Sequence, residues 1–353
     1  MSRILKQVLG IDVSQNELVV CFGRLYDDLS QELAAYKTFA NSSKGFEAMV
    51  QWATKLSDTD QPVHYVMEAT GVYHQSLAYY LHDAGATLSV VLPNKISNYA
   101  RTLSTKTITD KTASEAITRF GLERKLDGWQ KPNKVYKRLQ QLTRERGQII
   151  SERTVLKNQL HAENAEADPY NPTIRRIKKR ISLLDKQEAE IGEEIEALVK
   201  TDEETTRQVQ LLCSIPGVGL ITAATVLAET NGFDLIRNKR QLTSYAGLDV
   251  REKQSGTSVK GKPRISKRGN KNLRKAMYLP ALAAIRHNPR YRAIYARLVA
   301  KHGIKMKAAV AIQRKLLELM YTIYKTQKPY DKNYLEPITE AMQAAEILGG
   351  EHQ

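Results

Sequence analysis

A chain of 353 residues has room for two or three domains with substantial cores. Its formal charge of +16 and isoelectric point near 9.6 favour a polyanionic partner, because basic side chains displace the counterions condensed on one. No apolar stretch approaches the roughly 20 residues that a membrane helix needs, and no secretory apolar region opens the chain. The composition therefore argues against a membrane protein and for a cytoplasmic, bacterial one. Cys21 and Cys213 lie far apart in apolar surroundings, as buried small residues of a reducing compartment do.

Taken in chain order, Val-, Leu- and Ile-rich runs over 5–13 and 17–24 predict adjacent strands joined by the turn Ser14-Gln15-Asn16. A third strand is predicted at 34–39. Helical recurrence of Phe46, Met49, Val50 and Trp52 follows over 43–56. A strand at 63–67, a helix at 73–84, a strand at 87–92 stopped by Pro93, and helices at 94–102 and 109–121 complete this part. Three strands, then helix, strand, helix, strand and helix, is the order of an α/β ribonuclease-H-like domain, expected over 1–130.

The next segment, 131–204, changes character. Leu139, Leu142, Ile149, Leu156 and Leu160 recur in steps of three and four, with Arg146 and Arg153 intruding. After the turn-rich 163–172 the series resumes with Ile174, Ile177, Ile181, Leu184, Ile191, Ile195 and Leu198, broken by Glu188. This predicts an antiparallel coiled-coil hairpin whose outward seam is available to a second subunit. A mainly α-helical C-terminal domain is expected over 205–335, with a tail over 336–353. It begins with a helix-hairpin-helix about Pro216-Gly217-Val218-Gly219, where glycines let backbone N–H groups face a phosphate. Helices are predicted at 273–287 and 308–324.

Two groups of residues carry chemistry. Asp12 and Glu68 end predicted strands, and Asp110 opens a predicted helix. Taken singly they read as a turn former, a solvated strand end and an N-cap. Neighbouring strands lie about 5 Å apart, so together they are placed to hold Mg²⁺ against a phosphodiester during an in-line displacement. The second group is the basic stretch 251–269. There Ser255, followed by Gly256, stands among Lys253, Lys260, Lys262, Arg264, Lys267 and Arg268, with Lys271 and Arg274 continuing the basic face onto the next helix. An exposed serine among cations suits attack on phosphorus, keeping the bond as a phosphoserine for rejoining. Ser258 has nearly the same chemistry, and a non-covalent phosphate-gripping loop is the plainer alternative. The sequence contains neither a Walker loop nor Cys/His metal-ligand spacing.

These residues fall into a pattern. Gly10-Ile-Asp12-Val-Ser, Met67-Glu68-Ala-Thr-Gly71 and Lys106-Thr-Ile-Thr-Asp110, with Ile215-Pro-Gly-Val-Gly219, Tyr245-Ala-Gly-Leu248, Ser255-Gly and Ile265-Ser-Lys-Arg-Gly269-Asn-Lys-Asn-Leu-Arg274, resemble over nearly the whole chain the DEDD-type insertion-sequence transposases related to the Piv DNA invertase. The resemblance implies a RuvC-like N-terminal domain, a coiled coil, and a C-terminal transposase domain whose nucleophilic serine falls on Ser255. It also implies one composite site with the acids Asp12, Glu68 and Asp110, Mg²⁺-dependent recombination of donor and target DNA, a homo-oligomer (dimer or tetramer), and a structured guide RNA. The same motifs fit a site-specific invertase, and a catalytically impaired nucleic-acid-binding derivative is a further alternative. One position departs from the family pattern: the fourth acid is replaced by Ala113. Glu115 follows, about 140° around a helix from Asp110. Three acids with water, a substitute role for Glu115, and impaired activity all remain open on the sequence.

Overall fold

The computed structural model describes residues 3–69, 71–103, 109–234, 236–252, 254–255, 259–261 and 264–331. The chain divides into two compact units, Met1–Lys131 and Pro132–Gln353.

The first unit is built on one five-stranded sheet. Its strands are β1 (Ile4–Val13), β2 (Glu17–Tyr26), β3 (Gln31–Ala40), β4 (Val63–Glu68) and β5 (Thr87–Val91), in the spatial order β3-β2-β1-β4-β5. β1, β2 and β3 are antiparallel neighbours, while β4 lies parallel to β1 and β5 parallel to β4. This is the ribonuclease-H-like arrangement expected from element order. Its helices are α1 (Ser43–Leu56), α2 (Gln75–Asp83), α3 (Pro93–Ala100) and α4 (Asp110–Glu123).

Strand periodicity decides which helix covers which face. Leu9, Ile11 and Val13 of β1 join Phe46 and Met49 of α1 and Leu77 and Leu81 of α2 in one core. Val8 of β1 and Val66 of β4 join Ile96 and Tyr99 of α3 and Ile117 and Phe120 of α4 in a second core on the other face. The central strand is thus buried on both sides, which explains its nearly continuous apolar run. Burying such a core at roughly 25 cal/mol per Å² holds the sheet between its two helical layers.

The second unit is mainly helical: α5 (Lys134–Ala165), α6 (Asn171–Lys200), α7 (Glu203–Cys213), α8 (Leu220–Thr230), α9 (Lys239–Tyr245), α10 (Lys271–Ala276), α11 (Tyr278–His287), α12 (Pro289–His302) and α13 (Lys305–Thr326). α5 and α6 are long helices that pack on one another, and Leu139, Leu142, Ile149 and Leu156 share one core with Ile177, Leu184, Ile191 and Ile195. That core continues into α8, α9, α11 and α13. Among the described residues no helix is long and apolar enough to cross a membrane.

Two expectations need correction. The single helix predicted over 273–287 is two, α10 and α11, meeting at Met277. Pro280 is responsible, since its nitrogen cannot donate to the carbonyl that a continuous helix would offer it. The second correction is α12, which was not predicted. Asn288 caps it by accepting from Arg290 N and Tyr291 N, Pro289 occupies its first turn, and Gly303 ends it at φ +67°.

Candidate functional site: strand-end acids and a serine-bearing arm

The position of Asp12 follows from the sheet. Ile11 pairs with Met67 in the parallel register, so Asp12 and Glu68, one residue further on, stand side by side at the ends of β1 and β4. Side-chain alternation puts both on the face that carries Val8 and Val66, which is the face covered by α4. Both are half-buried.

The approach of α4 brings in the third acid. Gly121 lies over Val8 and Val66, where an added Cβ would come within 2.8 Å of Val8 Cγ1. A turn earlier, Thr118 Oγ donates to the Cys21 carbonyl at 2.9 Å, and a Cβ on Gly10 would meet the Ser114 carbonyl at 2.8 Å. The helix therefore runs antiparallel to β1 in close backbone contact with it, and its N-terminus arrives at the strand end where Asp12 sits. Asp110 is the first residue of that helix. Thr109 caps it: its hydroxyl accepts from Thr112 N at 3.2 Å, and the Thr112 hydroxyl accepts from Thr109 N at 2.8 Å.

The electrostatics show the convergence. Burial first, then the negative charges of Asp110 and Glu68, push the pKa of Asp12 up to about 6, against a smaller lowering by the Val13 backbone N–H. Asp12 with two further carboxylates whose charges act on it is a hard-oxygen donor set suited to a divalent cation, which would relieve the repulsion. Among the described residues no three His, Cys, Asp or Glu side chains are gathered at coordinating separation. Asp110 and Glu68 each lie within electrostatic reach of Asp12, and a cation would have to draw the three closer.

Glu115 does not join them. Tyr36 of β3 donates its hydroxyl to the Glu115 carboxylate, and the charge of Glu115 also acts on Cys21 of β2. Burial and this bond hold the Tyr36 phenol above its usual range. Glu115 thus faces β2 and β3, on the opposite side of β1 from Glu68. Ala113, in the place of the fourth family acid, is half-buried.

In the second unit, the basic stretch forms an arm of two short ladders. β6 (Val250–Arg251) pairs with β9 (Arg264–Ile265), and β7 (Gln254–Ser255) pairs with β8 (Val259–Lys260). Ser255 is opposite Val259, the last pair before residues 256–258, so it stands at the outer end of the arm. Lys260 is opposite Gln254. Lys253, Lys262 and Ser258 lie outside the described residues. Arg264, Lys267, Arg268 and Lys271 are exposed, whereas the half-buried Arg274 guanidinium donates to the Ala246 carbonyl at 2.6 Å and is part of the scaffold.

The glycines after α7 have a packing role. Gly217, at φ +90°, lies so close to α11 that a Cβ there would come within 2.9 Å of Ala283 Cβ, while Gly219 has nothing within 4 Å.

Sequence reasoning missed one polar feature altogether. Glu229 of α8 is only 1% exposed and accepts from Nε and Nη2 on one edge of the Arg144 guanidinium, each at 2.8 Å. Its signal was in plain view: a lone acid in the otherwise apolar Leu220–Thr230, where an unpaired charge would be prohibitive.

Comparison with known proteins agrees with this picture. Residues 9–163 match the DEDD transposase domain of the IS110 type, and residues 209–296 match the domain described as "Transposase IS116/IS110/IS902 family". The chain is 29% identical over 337 residues to the pilin gene-inverting protein of Moraxella bovis, covering 94% of this chain and 99% of that one. It is 31% identical over 176 residues to the transposase for insertion sequence element IS1111A of Coxiella burnetii, covering 47% of this chain and 46% of that one. A Thermus thermophilus RuvC solved in complex with a Holliday junction substrate superposes with a TM-score of 0.27 at 9% identity over 35% of this chain and 99% of that one, too slight a likeness to bear on function. The chain therefore carries transposase domains of the IS110/IS116 family, is homologous to the pilin gene-inverting proteins and to insertion-sequence transposases, and is a DNA-cleaving and rejoining enzyme. Membership of these domains in that family implies use of a divalent metal.

Proposed function

We propose that the protein is an insertion-sequence transposase that cuts and rejoins DNA strands through Ser255, with Mg²⁺ held by Asp12, Glu68 and Asp110. The metal half of this reading is supported by the parallel register that sets Asp12 beside Glu68 and by the charges of Asp110 and Glu68 acting together on Asp12. The observation that carries the other half is Ser255 at the outer end of a β arm whose base displays Arg264, Lys267 and Arg268.

The chemistry follows from these groups. The Ser255 hydroxyl loses its proton and its oxygen attacks the phosphorus. The P–O bond to the leaving sugar oxygen breaks and that oxygen takes up a proton, leaving a phosphoserine diester. Attack by a hydroxyl of a second strand reverses the exchange, so one ester is made for each one broken and no nucleotide is consumed. When bound, Mg²⁺ supplies Lewis-acid stabilisation of the charge that develops on the phosphate. The three acids position the cation, and the arm's cations grip the flanking phosphates and fix register without reading sequence. On this reading α5 and α6 are the coiled coil and α7 and α8 the helix-hairpin-helix, the enzyme works as a homo-oligomer on donor and target DNA, and a structured RNA from the element's own end directs it.

The deciding experiment uses purified protein, Mg²⁺ and DNA carrying the element's ends. The native enzyme should yield a protein–DNA adduct that survives denaturing electrophoresis, and Ser255→Ala should yield none. An adduct of undiminished yield from Ser255→Ala would remove the covalent mechanism. A small RNA that co-purifies with the protein and restores recombination after nuclease treatment would support the guided mode. A second reading is favoured by likeness to the pilin gene-inverting proteins along nearly the whole chain: site-specific inversion between two inverted sites. It uses the same chemistry, and a plasmid with inverted sites would score it directly.

A further inference from the structure

The carboxylate of Glu229 has no part in the chemistry above, yet it is the most heavily bonded acid among the described residues. Its side chain is fully buried. Arg144 of α5 meets it with Nε on Oε1 and Nη2 on Oε2, both at 2.8 Å. Asn270 Nδ2 donates to Oε2 at 2.7 Å and Asn272 Nδ2 to Oε1 at 3.2 Å. Gln140 Nε2 adds a longer contact to Oε2 at 3.4 Å. The backbone of the same residue is engaged as well, its carbonyl accepting from the Tyr245 hydroxyl at 2.9 Å.

The partners coincide with the two feet of the serine-bearing arm. Tyr245 closes α9, immediately before the chain enters the arm, and Asn270 and Asn272 are the first residues after it leaves. The feet also touch each other. Asn270 N donates to the Tyr245 carbonyl at 2.7 Å, Lys267 N to the Gly247 carbonyl at 3.1 Å, and a Cβ on Gly269 (φ +152°) would come within 2.8 Å of Gly247 N. The Asn270 side chain serves twice, since its Oδ1 accepts from Asn272 N and Leu273 N to start α10. We propose that Glu229 is the positioning residue of the nucleophile arm, its carboxylate and carbonyl mooring both feet to the core while Arg144 ties that mooring to α5. The proposal rests on the assignment of Ser255 as nucleophile.

The Glu229 side chain is fully buried while that of Arg144 is 47% exposed, and a carboxylate taken so far from water costs more in lost hydration than its pairing returns unless its geometry matters. Here the geometry is complete. Burial by itself would push the Glu229 carboxyl up, but the Arg144 bonds and charge and the Asn270 amide outweigh it and hold the group below its usual range. Charge-assisted bonds of this length hold their partners rigidly. A nucleophile at the end of a two-stranded arm needs that rigidity at the base, because a small tilt there is magnified at the tip, and an ångström of misplacement costs up to about a hundredfold in rate.

The test separates positioning from folding. Asn272→Ala removes one tie without leaving a charge buried, Glu229→Gln neutralises the hub, and Arg144→Lys keeps its charge while losing the two-point geometry. Full-length protein is assayed for DNA dissociation constant, for the first-order rate of adduct formation at saturating DNA, for melting temperature, and for the rate of tryptic cleavage within 251–268. We expect Asn272→Ala to slow adduct formation about tenfold, with the dissociation constant within about twofold and the melting temperature nearly unchanged, and to speed nicking of the arm. Glu229→Gln should be worse, and Arg144→Lys intermediate between Glu229→Gln and the native enzyme. If Glu229→Gln fails to fold, Asn272→Ala and Arg144→Lys decide alone. Unchanged rate and unchanged nicking in folded variants would overturn the proposal, as would a rate loss that merely tracks a fall in melting temperature without faster nicking. Ser255→Ala is assayed in parallel. If it still formed the adduct, the nucleophile assignment would fall, while the nicking measurement would continue to report on the mooring.

Discussion

His64 lies on β4 with its ring Nε2 2.9 Å from the Ser89 hydroxyl, which donates to the Asp127 carbonyl at 2.7 Å, so the ring nitrogen is the donor. Burial, then the charge of Lys6, pushes its pKa down to about 4, below an unfolded value of about 6.5. Between these values the unfolded chain binds the proton and the folded one does not, so stability is full above pH 6.5 and is lost as pH falls towards 4. That loss should not exceed about 3 kcal/mol. The melting temperature of the first unit should drop across this window, and His64→Gln should flatten the drop; an unaltered pH profile would show that another group titrates. Gly10 is a second residue with a definite job. Replacing it with Ala forces the strand against Thr118 and the Ser114 carbonyl, an overpacking that costs about 1–3 kcal/mol. Because α4 must move, Gly10→Ala should lose metal-dependent cleavage along with several degrees of melting temperature, and cleavage at the native rate would argue against that close approach.

Among the elements, the α5–α6 pair shows how apparent defects in a pattern become contacts. Arg146 and Arg153 break the apolar series of α5, and Glu188 breaks that of α6. In the structure these three meet: Arg146 Nη2 lies 2.5 Å from Glu188 Oε1, and Arg153 bonds both Glu188 and Asp185, the latter at 2.7 Å. Each interruption is an offset charge, and pairing them sets the register between the two helices. Glu188→Ala takes its carboxylate from the half-buried Arg146 guanidinium and leaves Arg153 with Asp185 alone, and should lower the melting temperature of the second unit. Replacing Arg146, Arg153 and Glu188 together with Leu should restore or exceed native stability; if both variants melted alike, the trio would be a surface network of little weight. α4 makes the complementary point, since one helix both closes a core through Ile117 and Phe120 and delivers Asp110 to the end of β1. Glu115, on the same helix, is turned to Tyr36 instead. A helix of fixed pitch sets the two acids about 140° apart; the sequence left a substitute role for Glu115 open, and the bond to Tyr36 turns it away from Asp12.

For the whole molecule, a net charge of +16 makes salt the natural probe of DNA binding. Each phosphate neutralised contributes close to one unit to the slope of log affinity against log salt. Alanine at Arg264, Lys267, Arg268 and Lys271 together should reduce that slope by about 3–4, whereas alanine at Arg274, which is committed to Ala246, should leave the slope alone and lower stability. Equal slopes for the native and fourfold variants would move the DNA interface elsewhere. Much of this was legible from residues alone. The apolar runs already put Asp12 and Glu68 at the ends of strands and Asp110 at the start of a helix, the apolar repeats marked the two long helices, and the clustered cations marked the basic stretch. These signals survive because they are local: a period of two or of 3.6, a capping residue or a run of charge needs no knowledge of distant chain. Tertiary structure alone decided which partners met. The parallel register that sets Glu68 beside Asp12, the antiparallel run of α4 that adds Asp110, and the gathering of Arg144, Tyr245, Asn270 and Asn272 around Glu229 join residues 16 to 98 positions apart. No local pattern encodes such pairings, because they are chosen by how whole elements bury their apolar faces against one another.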